Sequence, residues 1–538
     1  MPGASLAARV RDPGYTPAAR DLGALLDLLG EEDDELARAA ERAVLRIEAR
    51  HAPRIVEGII ARLATAVRPA RGRLAHLVGR VAASAPEAAA AQARAWLVLA
   101  LADLDPKTRH TAARALGKLR PDDATGRSAL ERALLDAWDA ARGDDDRRAV
   151  AEALGKVGSE AAKGRLAGAV SQGADRAVTR AALMIERAAA RERPGTIDPT
   201  RAADRPLAVR FHARAGLEAI VADELGEAWR PRVAGPGLVD ARLEGPLSKA
   251  TAIRTALHVG FPLDPVPVRG ELAEAIVRAI TDPRAVAILR AFTSSSPTIR
   301  FRLAWARGGH RRALAWRCAE LVAASTSELV NDPTESTWEI VVDDQPGRVS
   351  LELVPRGFVD DRFAYRKATV AASSHPTIAA ALARLLPPRG DDIVWDPFVG
   401  AGAELVERAR LGPYKALVGS DVDAAAIEAA RRNLAAAGVR GATLRVGDAM
   451  TEAPAGVTVI ITNPPMGRRV QRGRHAELLG RFVDRAALVL VHGGALVWAA
   501  PDRALAARAE RAGLRVERSF TVDMGGFPAE LSVYRKRA

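Results

Sequence analysis

Between Asp391 and Met466 four short apolar runs each end in residues suited to contact a ligand, and no other feature of the 538-residue chain restricts its fold as much. The first is Asp391-Asp-Ile-Val-Trp-Asp-Pro-Phe-Val-Gly-Ala-Gly402, which leads into the helical pattern Glu404-Leu-Val-Glu-Arg-Ala-Arg. The second is Ala416-Leu-Val-Gly-Ser-Asp421, the third Ala442-Thr-Leu-Arg-Val-Gly-Asp448 and the fourth Val457-Thr-Val-Ile-Ile-Thr-Asn-Pro-Pro-Met466. Short apolar strands that alternate with helices build a parallel sheet covered on both faces. In open sheets of that kind ligands bind beyond the carboxyl ends of the strands, where all four special termini fall. The glycines of the first turn let backbone come close to a ligand. A Gly-x-Gly alone is common, and it is the ordered series that carries weight.

The termini also restrict the chemistry. Asp421 closes the second strand with a carboxylate suited to accept hydrogen bonds from both hydroxyls of a ribose. The fourth terminus separates two cofactor classes, because a dinucleotide site has no need of an amide followed by two prolines. Transfer of a methyl group to a planar amine does: the Asn463 side-chain oxygen and the Pro464 carbonyl can accept from the two N–H groups of an exocyclic amine and aim its nitrogen. Pro464 and Pro465 stiffen the loop before substrate arrives. No metal or covalent intermediate is required.

The middle third is α+β. Leu207-Ala-Val-Arg-Phe-His-Ala-Arg reads as a strand and Gly216-Leu-Glu-Ala-Ile-Val-Ala-Asp-Glu-Leu as the helix after it. Thr298-Ile-Arg-Phe-Arg-Leu-Ala-Trp alternates with period two, placing Arg300 and Arg302 on one face of a strand and Ile299, Phe301 and Leu303 on the other. With Arg307, Arg311 and Arg312 nearby, that face offers phosphate contacts, against the plainer reading of a solvated sheet face. A helix is expected from His310 to about Ser325. Trp338-Glu-Ile-Val-Val and Arg348-Val-Ser-Leu-Glu-Leu-Val then flank Asp343-Asp-Gln-Pro-Gly347 as a hairpin.

The N-terminal third repeats itself. Leu77-Val-Gly-Arg-Val, Ala115-Leu-Gly-Lys-Leu and Ala153-Leu-Gly-Lys-Val recur about 38 residues apart, with a weaker copy at Ala43-Val-Leu-Arg-Ile. Each ends a helical pattern, as in Asp105-Pro-Lys-Thr-Arg-His-Thr-Ala-Ala-Arg-Ala-Leu-Gly, where Asp105 caps and Pro106 occupies the first turn. Such helices bury a face only against a neighbouring repeat, and the glycines read as close-packing positions. Pro- and charge-rich residues 191–206 read as a linker.

Composition adds a sign and a compartment. There are 79 Lys+Arg against 66 Asp+Glu, a net charge of +13 that favours a polyanionic partner. A single cysteine, Cys318, cannot form an internal disulfide, and the N-terminal residues lack the apolar run of a secretion signal. The most apolar later stretch, Ala486 to Ala500, is too short to span a bilayer. A cytoplasmic, membrane-free protein is expected.

Taken together, the four termini resemble the class I S-adenosylmethionine-dependent methyltransferases of the Asn-Pro-Pro-aromatic group. The addition of Phe211-His-Ala-Arg-Ala-Gly-Leu-Glu, Asn331-Asp-Pro-Thr-Glu-Ser-Thr-Trp-Glu-Ile, Tyr365-Arg-Lys and Ser374-His-Pro-Thr-Ile-Ala-Ala-Ala-Leu resembles THUMP-containing RNA guanine-N2 methyltransferases acting on tRNA or 23S rRNA. The N-terminal pattern resembles HEAT repeats. These resemblances imply a multidomain chain: HEAT-like α-helical solenoid over 20–190, ferredoxin-like and THUMP-like α+β module over 207–357, and a Rossmann-like α/β methyltransferase domain over 358–538. They further imply that Asp396, Phe398, Gly400 and Gly402 surround the methionine part of S-adenosylmethionine, that Asp421 binds its ribose, that Asp448 and Ala449 meet its adenine, and that Asn463, Pro464, Pro465 and Met466 hold the target base.

Ala401 and Ala403 stand where the family usually has Ser or Thr, and Met466 where it has an aromatic residue. A stacking aromatic is worth roughly 1–3 kcal/mol on a flipped base, and a thioether is a flexible substitute. Arg468, Arg469, Arg472 and Arg474 follow in what reads as a loop, placed for phosphates flanking that base. RNA is thus the expected partner, with RNA or protein docking on the repeats. Two other readings remain: a non-catalytic RNA-binding scaffold, which Met466 and the repeats allow, and DNA adenine-N6 or protein glutamine methylation, which the THUMP-like module disfavours.

Overall fold

The computed structural model describes residues 5–12, 14–66, 70–170, 176–294, 296–309, 311–371, 373–465, 472–500 and 504–537. It divides into two compact units, residues 1–194 with 313–332, and residues 195–312 with 333–538.

The first unit is helical. Its main helices are α1 (Asp34–Val44), α2 (Ala52–Leu63), α3 (Ala70–Ala82), α4 (Glu87–Ala100), α5 (Pro106–Leu116), α6 (Ala124–Asp139), α7 (Asp144–Val157), α8 (Glu160–Val170) and α9 (Arg176–Glu192). Helices α3, α5, α7 and α9 pack in series, and α2, α4 and α6 form a second series beside them. The sequence repeat maps onto this order. Asp105 caps α5 by accepting from the Thr108 N–H at 3.1 Å, with Pro106 at the first position. The recurring glycines sit where helices touch. A Cβ on Gly79 would lie 2.5 Å from Ala115 Cβ, one on Gly117 3.0 Å from Ala153 Cα, and one on Gly155 2.9 Å from Ala181 Cα. Ion pairs keep the same interval, with Arg109 bonded to Asp146 at 2.9 Å and Arg114 to Glu152 at 3.3 Å.

Two sequence-based boundaries shift. Residues 313–332, carrying most of helix Arg312–Ser325, group with this helical unit and not with the α+β module. Arg180 and Arg187 stack over Trp316 at 4.6 and 4.5 Å, and Arg191 holds the buried Asp332 through two 2.6 Å hydrogen bonds. The stretch expected as a linker is only partly one: α9 runs to Glu192, and Thr196–Ile197 pairs with Thr293–Ser294. Ile197, 4% exposed, is anchored by its N–H to the Gly357 carbonyl, so apolar burial overrides the Pro-rich composition.

In the second unit, strands β1 (Leu207–His212), β2 (Arg232–Gly235), β3 (Leu238–Leu243), β4 (His258–Pro262), β5 (Ile299–Trp305), β6 (Trp338–Gln345) and β7 (Arg348–Pro355) form a mixed sheet in the order β2-β3-β1-β4-β7-β6-β5. Helix α10 (Glu218–Leu225) follows β1. The expected hairpin is present, with Gln345 opposite Arg348 across Pro346 and Gly347. The second sheet contains β8 (Ile393–Asp396), β9 (Ala416–Asp421), β10 (Thr443–Val446), β11 (Val457–Thr462), β12 (Leu490–Ala500), β13 (Leu514–Asp523) and β14 (Pro528–Lys536). Their order is β10-β9-β8-β11-β12-β14-β13, parallel except where β14 opposes both β12 and β13. Helices α11 (Pro376–Arg384), α12 (Ala403–Leu411), α13 (Ala424–Ala436), α14 (Arg472–Val489) and α15 (Ala504–Arg511) accompany it. Chain order reverses between β8 and β11, and a crevice at their carboxyl ends follows from that reversal.

The glycine contacts of the helical unit give a test with opposite signs. Gly155→Ala adds a methyl against backbone, and we expect it to destabilise by about 1–3 kcal/mol. Gly164→Ala meets nothing within 4 Å in α8. That change should stabilise by roughly 0.5–1 kcal/mol through helix propensity. Urea midpoints followed by far-ultraviolet circular dichroism separate the two; equal effects would remove the close-packing role of Gly155.

Candidate active site

The cleft is assembled from three stretches of chain. The turn after β8 supplies Phe398 to Ala401, the strand end after β11 supplies Asn463, and the segment from Tyr365 to Ser374 forms the opposite wall. Together with Ala403, Glu404 and Asn433 they enclose about 410 Å³ of space open to solvent. The wall segment has no regular structure of its own and is pinned from the side. Asn433 on α13, 1% exposed, accepts from the Lys367 and Ala368 N–H groups and donates to the carbonyls of Ala368 and Ala401, all within 2.8–2.9 Å. All four hydrogen-bonding positions of one buried amide therefore join wall and turn.

Asp396 is fully buried at the end of β8. Its Oδ1 accepts from Thr462 Oγ1 at 2.7 Å and the Phe398 N–H at 3.2 Å, which ties the ends of β8 and β11 together across the sheet reversal. Its Oδ2 has no partner among the described residues. Burial, reinforced by the neighbouring Glu404, holds the Asp396 carboxyl well above the usual range. Glu404, in the first turn of α12, is pushed up to about 7, again by burial, and accepts from the Ser374 hydroxyl. Ser374 Oγ in turn accepts from Asn463 Nδ2 at 2.8 Å. Asn463 Oδ1 is left buried and without a partner among the described residues. His375, which caps α11, is drawn down to about 4 by burial and by Arg214, Arg366 and Arg362 around it.

Asp421 ends β9 half-exposed, with one carboxylate oxygen accepting from the Gly400 N–H and the other from the Asp423 N–H, each at 3.0 Å. The two glycines differ. A Cβ on Gly400 would have only the Phe398 carbonyl within 4 Å and would project into the cleft, whereas one on Gly402 would lie 2.8 Å from Leu434 and against Ala430. Gly400 thus leaves room for a ligand, and Gly402 lets α12 approach α13. Asp448 is exposed and accepts from the Met450 N–H; Ala449 is buried in the cluster of Trp395 and Phe482. Phe398 meets Phe482 edge-on, with ring centroids 5.0 Å apart.

Phe398, Gly400 and Asn463 therefore line one cleft, with Asp396 and Asp421 bonded to its rim and Asp448 and Ala449 beyond β10. Pro464 is buried and Pro465 exposed. Met466, Arg468 and Arg469 lie outside the described residues. Arg472 and Arg474 belong to helix α14 and not to a loop. Of the five arginines expected on a phosphate face, four meet carboxylates and the fifth, Arg312, is exposed. Arg300 is only 5% exposed and pairs with Glu335, Arg302 with Glu339, Arg307 with Asp343 and Arg311 with Asp344. Period-two alternation identifies faces of a strand, not which carboxylates the adjacent strand brings. Ser374, Glu404 and Asn433 were not singled out as site residues from the sequence; their polarity inside otherwise apolar helical patterns was the available signal for Glu404 and Asn433.

The orphaned acceptors Asp396 Oδ2 and Asn463 Oδ1, with the open space before Gly400, fit a ligand that carries N–H donors or positive charge at one end and reaches Asp421 at the other. The seven-stranded sheet places this crevice at its switch point, where open α/β sheets bind ligands. Residues 364–529 match the family described as UPF0020: RMKL-like, methyltransferase domain. Over 129 residues the chain is 32% identical to the U6 snRNA (guanine-N(2))-methyltransferase THUMPD2 of Bos taurus, covering 23% of this chain and 25% of that protein. Over 88 residues it is 39% identical to the ribosomal RNA small subunit methyltransferase C of Stutzerimonas stutzeri (strain A1501), covering 16% of this chain and 26% of that protein. The chain thus matches about a quarter of the length of each. Among solved structures it is similar to TrmN from Thermus thermophilus, with 22% identity, a TM-score of 0.48, and coverage of 62% of this chain and 100% of that one.

The two raised carboxyls couple the site to pH. Glu404 holds its proton more tightly folded than at its ordinary value of 4.5, so its favourable share of stability is fully present below that value and is lost as pH rises through about 7. We expect Glu404→Gln, which cannot ionise, to raise the melting temperature relative to the parent more at about pH 8.5 than at about pH 5. An equal difference at both pH values would show that Glu404 is not held protonated by its burial.

Proposed function

We propose that this protein transfers a methyl group from S-adenosylmethionine to the exocyclic N2 of a guanine in structured RNA, tRNA or ribosomal RNA being the classes the sequence favours. The observation that carries the reading is Asn463 Oδ1, a buried acceptor at the cleft with no partner among the described residues. Together with the carbonyl of the next residue, Pro464, it would offer two acceptors to the two N–H groups of an exocyclic amine, and an acceptor left unpaired in the interior is costly unless a ligand satisfies it. The relatives named for guanine-N2 and ribosomal RNA methylation support the same choice of substrate.

The bound cofactor supplies an electrophilic methyl group; the chain supplies position. Asp421 holds the ribose hydroxyls, Gly400 gives the methionine end room beside Phe398 and Asp396, and the turn at Asp448 and Ala449 borders the adenine. Asn463 and Pro464 aim the amine nitrogen, Pro465 stiffens the loop, and Met466 packs on the base. Holding two reactants in attack geometry removes much of the entropic barrier without an acid, base or metal. The arginines after the loop, Arg468, Arg469, Arg472 and Arg474, are read as phosphate contacts for a nucleotide drawn out of its stack. The α+β module is read as THUMP-like and as the grip on folded RNA, and the N-terminal helices as a HEAT-like solenoid that docks RNA or protein.

Two substitutions test this reading. Asn463→Ala should lower turnover by about two orders of magnitude or more, roughly 3 kcal/mol of lost positioning, while cofactor affinity stays nearly unchanged. Tritiated-methyl transfer to RNA from a strain lacking the protein, run beside calorimetric cofactor titration, reads both. A parent protein inert on every RNA pool would favour the scaffold reading, and a fully active Asn463→Ala would remove the amine-aiming role. Asp421→Ala should weaken cofactor binding strongly, at about 1.5–3 kcal/mol for each charge-assisted hydrogen bond lost; unchanged affinity would move the ribose elsewhere.

A further inference from the structure

We infer that Ser374 and Glu404 are positioning residues that fix which end of the Asn463 amide faces the target amine, through the chain Asn463 Nδ2–H to Ser374 Oγ–H to the Glu404 carboxylate. The inference rests on the reading that Asn463 aims the amine.

An asparagine amide has nearly the same shape in either of two orientations, one presenting oxygen and the other N–H₂. For a substrate that offers only N–H donors the difference is decisive, since the wrong orientation sets donor against donor. Among the described residues Asn463 makes one side-chain hydrogen bond, Nδ2 to Ser374 Oγ at 2.8 Å, so the direction of that bond sets the orientation. A serine hydroxyl cannot set it alone, because it both donates and accepts. The third member removes the ambiguity. An ionised carboxylate only accepts, so Glu404 takes the single hydroxyl proton of Ser374 and leaves only lone pairs toward Asn463. Asn463 must then offer Nδ2, and Oδ1 is left toward the cleft, where it stands buried with no partner among the described residues.

Each member is held on a different piece of backbone. Ser374 ends the wall segment just before α11, Glu404 lies in the first turn of α12, and Asn463 follows β11. Glu404 is 3% exposed, so bulk water does not compete for the hydroxyl proton. The charged groups facing Glu404 are Asp396 from β8, Glu407 from its own helix and Arg366 from the wall, and Tyr365 lies beside it. Asp396 and Glu407 oppose ionisation and Arg366 favours it. Once Glu404 takes up a proton it can donate to Ser374, and the one-way direction of the chain is lost. Turnover should therefore fall on the acid side of about pH 7.

The test is steady-state tritiated-methyl transfer by the full chain on RNA from a strain lacking it, with kcat and KM measured across pH and cofactor affinity measured by calorimetry. Ser374→Ala should lower kcat by about tenfold to a hundredfold with cofactor affinity unchanged, and Ser374→Thr, which restores the hydroxyl, should recover most of the loss. Glu404→Gln keeps an acceptor but adds a donor, and should lower kcat and flatten the acid limb. Adding Ser374→Ala to Asn463→Ala should cost nothing more, because the two act through one amide. An active Asn463→Ala overturns the amine-aiming reading itself. An impaired Asn463→Ala beside a Ser374→Ala with parental kcat overturns only the positioning chain. Should Ser374→Ala fail to fold, Glu404→Gln decides, and a parental pH profile in that variant overturns the inference.

Discussion

One buried carboxylate holds the cleft to the module beside it. Glu407 on α12, 2% exposed, accepts from Arg254 Nε and Nη2 at 2.6 and 2.7 Å, and from the Tyr365 hydroxyl at 2.9 Å. Arg254 belongs to the α+β module, Tyr365 begins the wall of the cleft, and α12 starts at the glycine turn, so a single side chain meets all three. Removing one partner of a buried ion pair leaves an uncompensated charge and costs about 3–5 kcal/mol, whereas an exposed pair contributes little. Burial, with the Glu407 carboxylate alongside, pushes the Tyr365 phenol above its ordinary range and keeps it a neutral donor. With Asn433 fixing the next residues, the wall becomes rigid without any secondary structure of its own.

That pinning is what the proposed mechanism, which depends on orientation, requires of the fold. Two carboxyls, Asp396 at the end of β8 and Glu404 in the first turn of α12, sit in an interior that resists their ionisation. A cationic ligand relieves what burial imposes, because its charge favours the ionised carboxylates. The same ionisation gives the Ser374 hydroxyl its direction. Ligand charge and amide orientation are therefore coupled through one residue, and a full site prepares the acceptor that the target amine needs.

What the sequence made legible follows from what acts locally. The strand ends were readable because apolar runs and their terminal residues are contiguous, and Ala416–Asp421 and Val457–Thr462 fall where the pattern puts them. The glycine repeat was readable because the same contact recurs at a fixed interval. Ser374, Glu404 and Asn463 were not readable as a chain, since they lie 30 and 89 residues apart and meet only through the sheet reversal. Arg300 misled for the matching reason: its own strand shows alternation, but Glu335 and a buried environment come from elsewhere. Helix Arg312–Ser325 carries a local pattern that any helical neighbour could satisfy, and the choice of neighbour rests on Trp316 and on Asp332, a position whose importance only Arg191 reveals.

The contact between module and catalytic sheet also bears on how a large substrate is measured. Gly216, at φ +97°, brings the loop after β1 against β13 so closely that a Cβ there would lie 2.1 Å from the Thr521 carbonyl. The Asp523 N–H donates to the Ala215 carbonyl at 2.9 Å, and Leu217 and Ile220 share a buried cluster with Val522, Leu531 and Val533. A module joined by a common apolar core does not swivel as one joined by a flexible linker does. The distance from any surface of that module to Asn463 is set by the shared core. If the protein acts as proposed, selection of a target nucleotide follows from where the folded RNA places it relative to the module, and the loop at Asn463 needs to recognise only an amine.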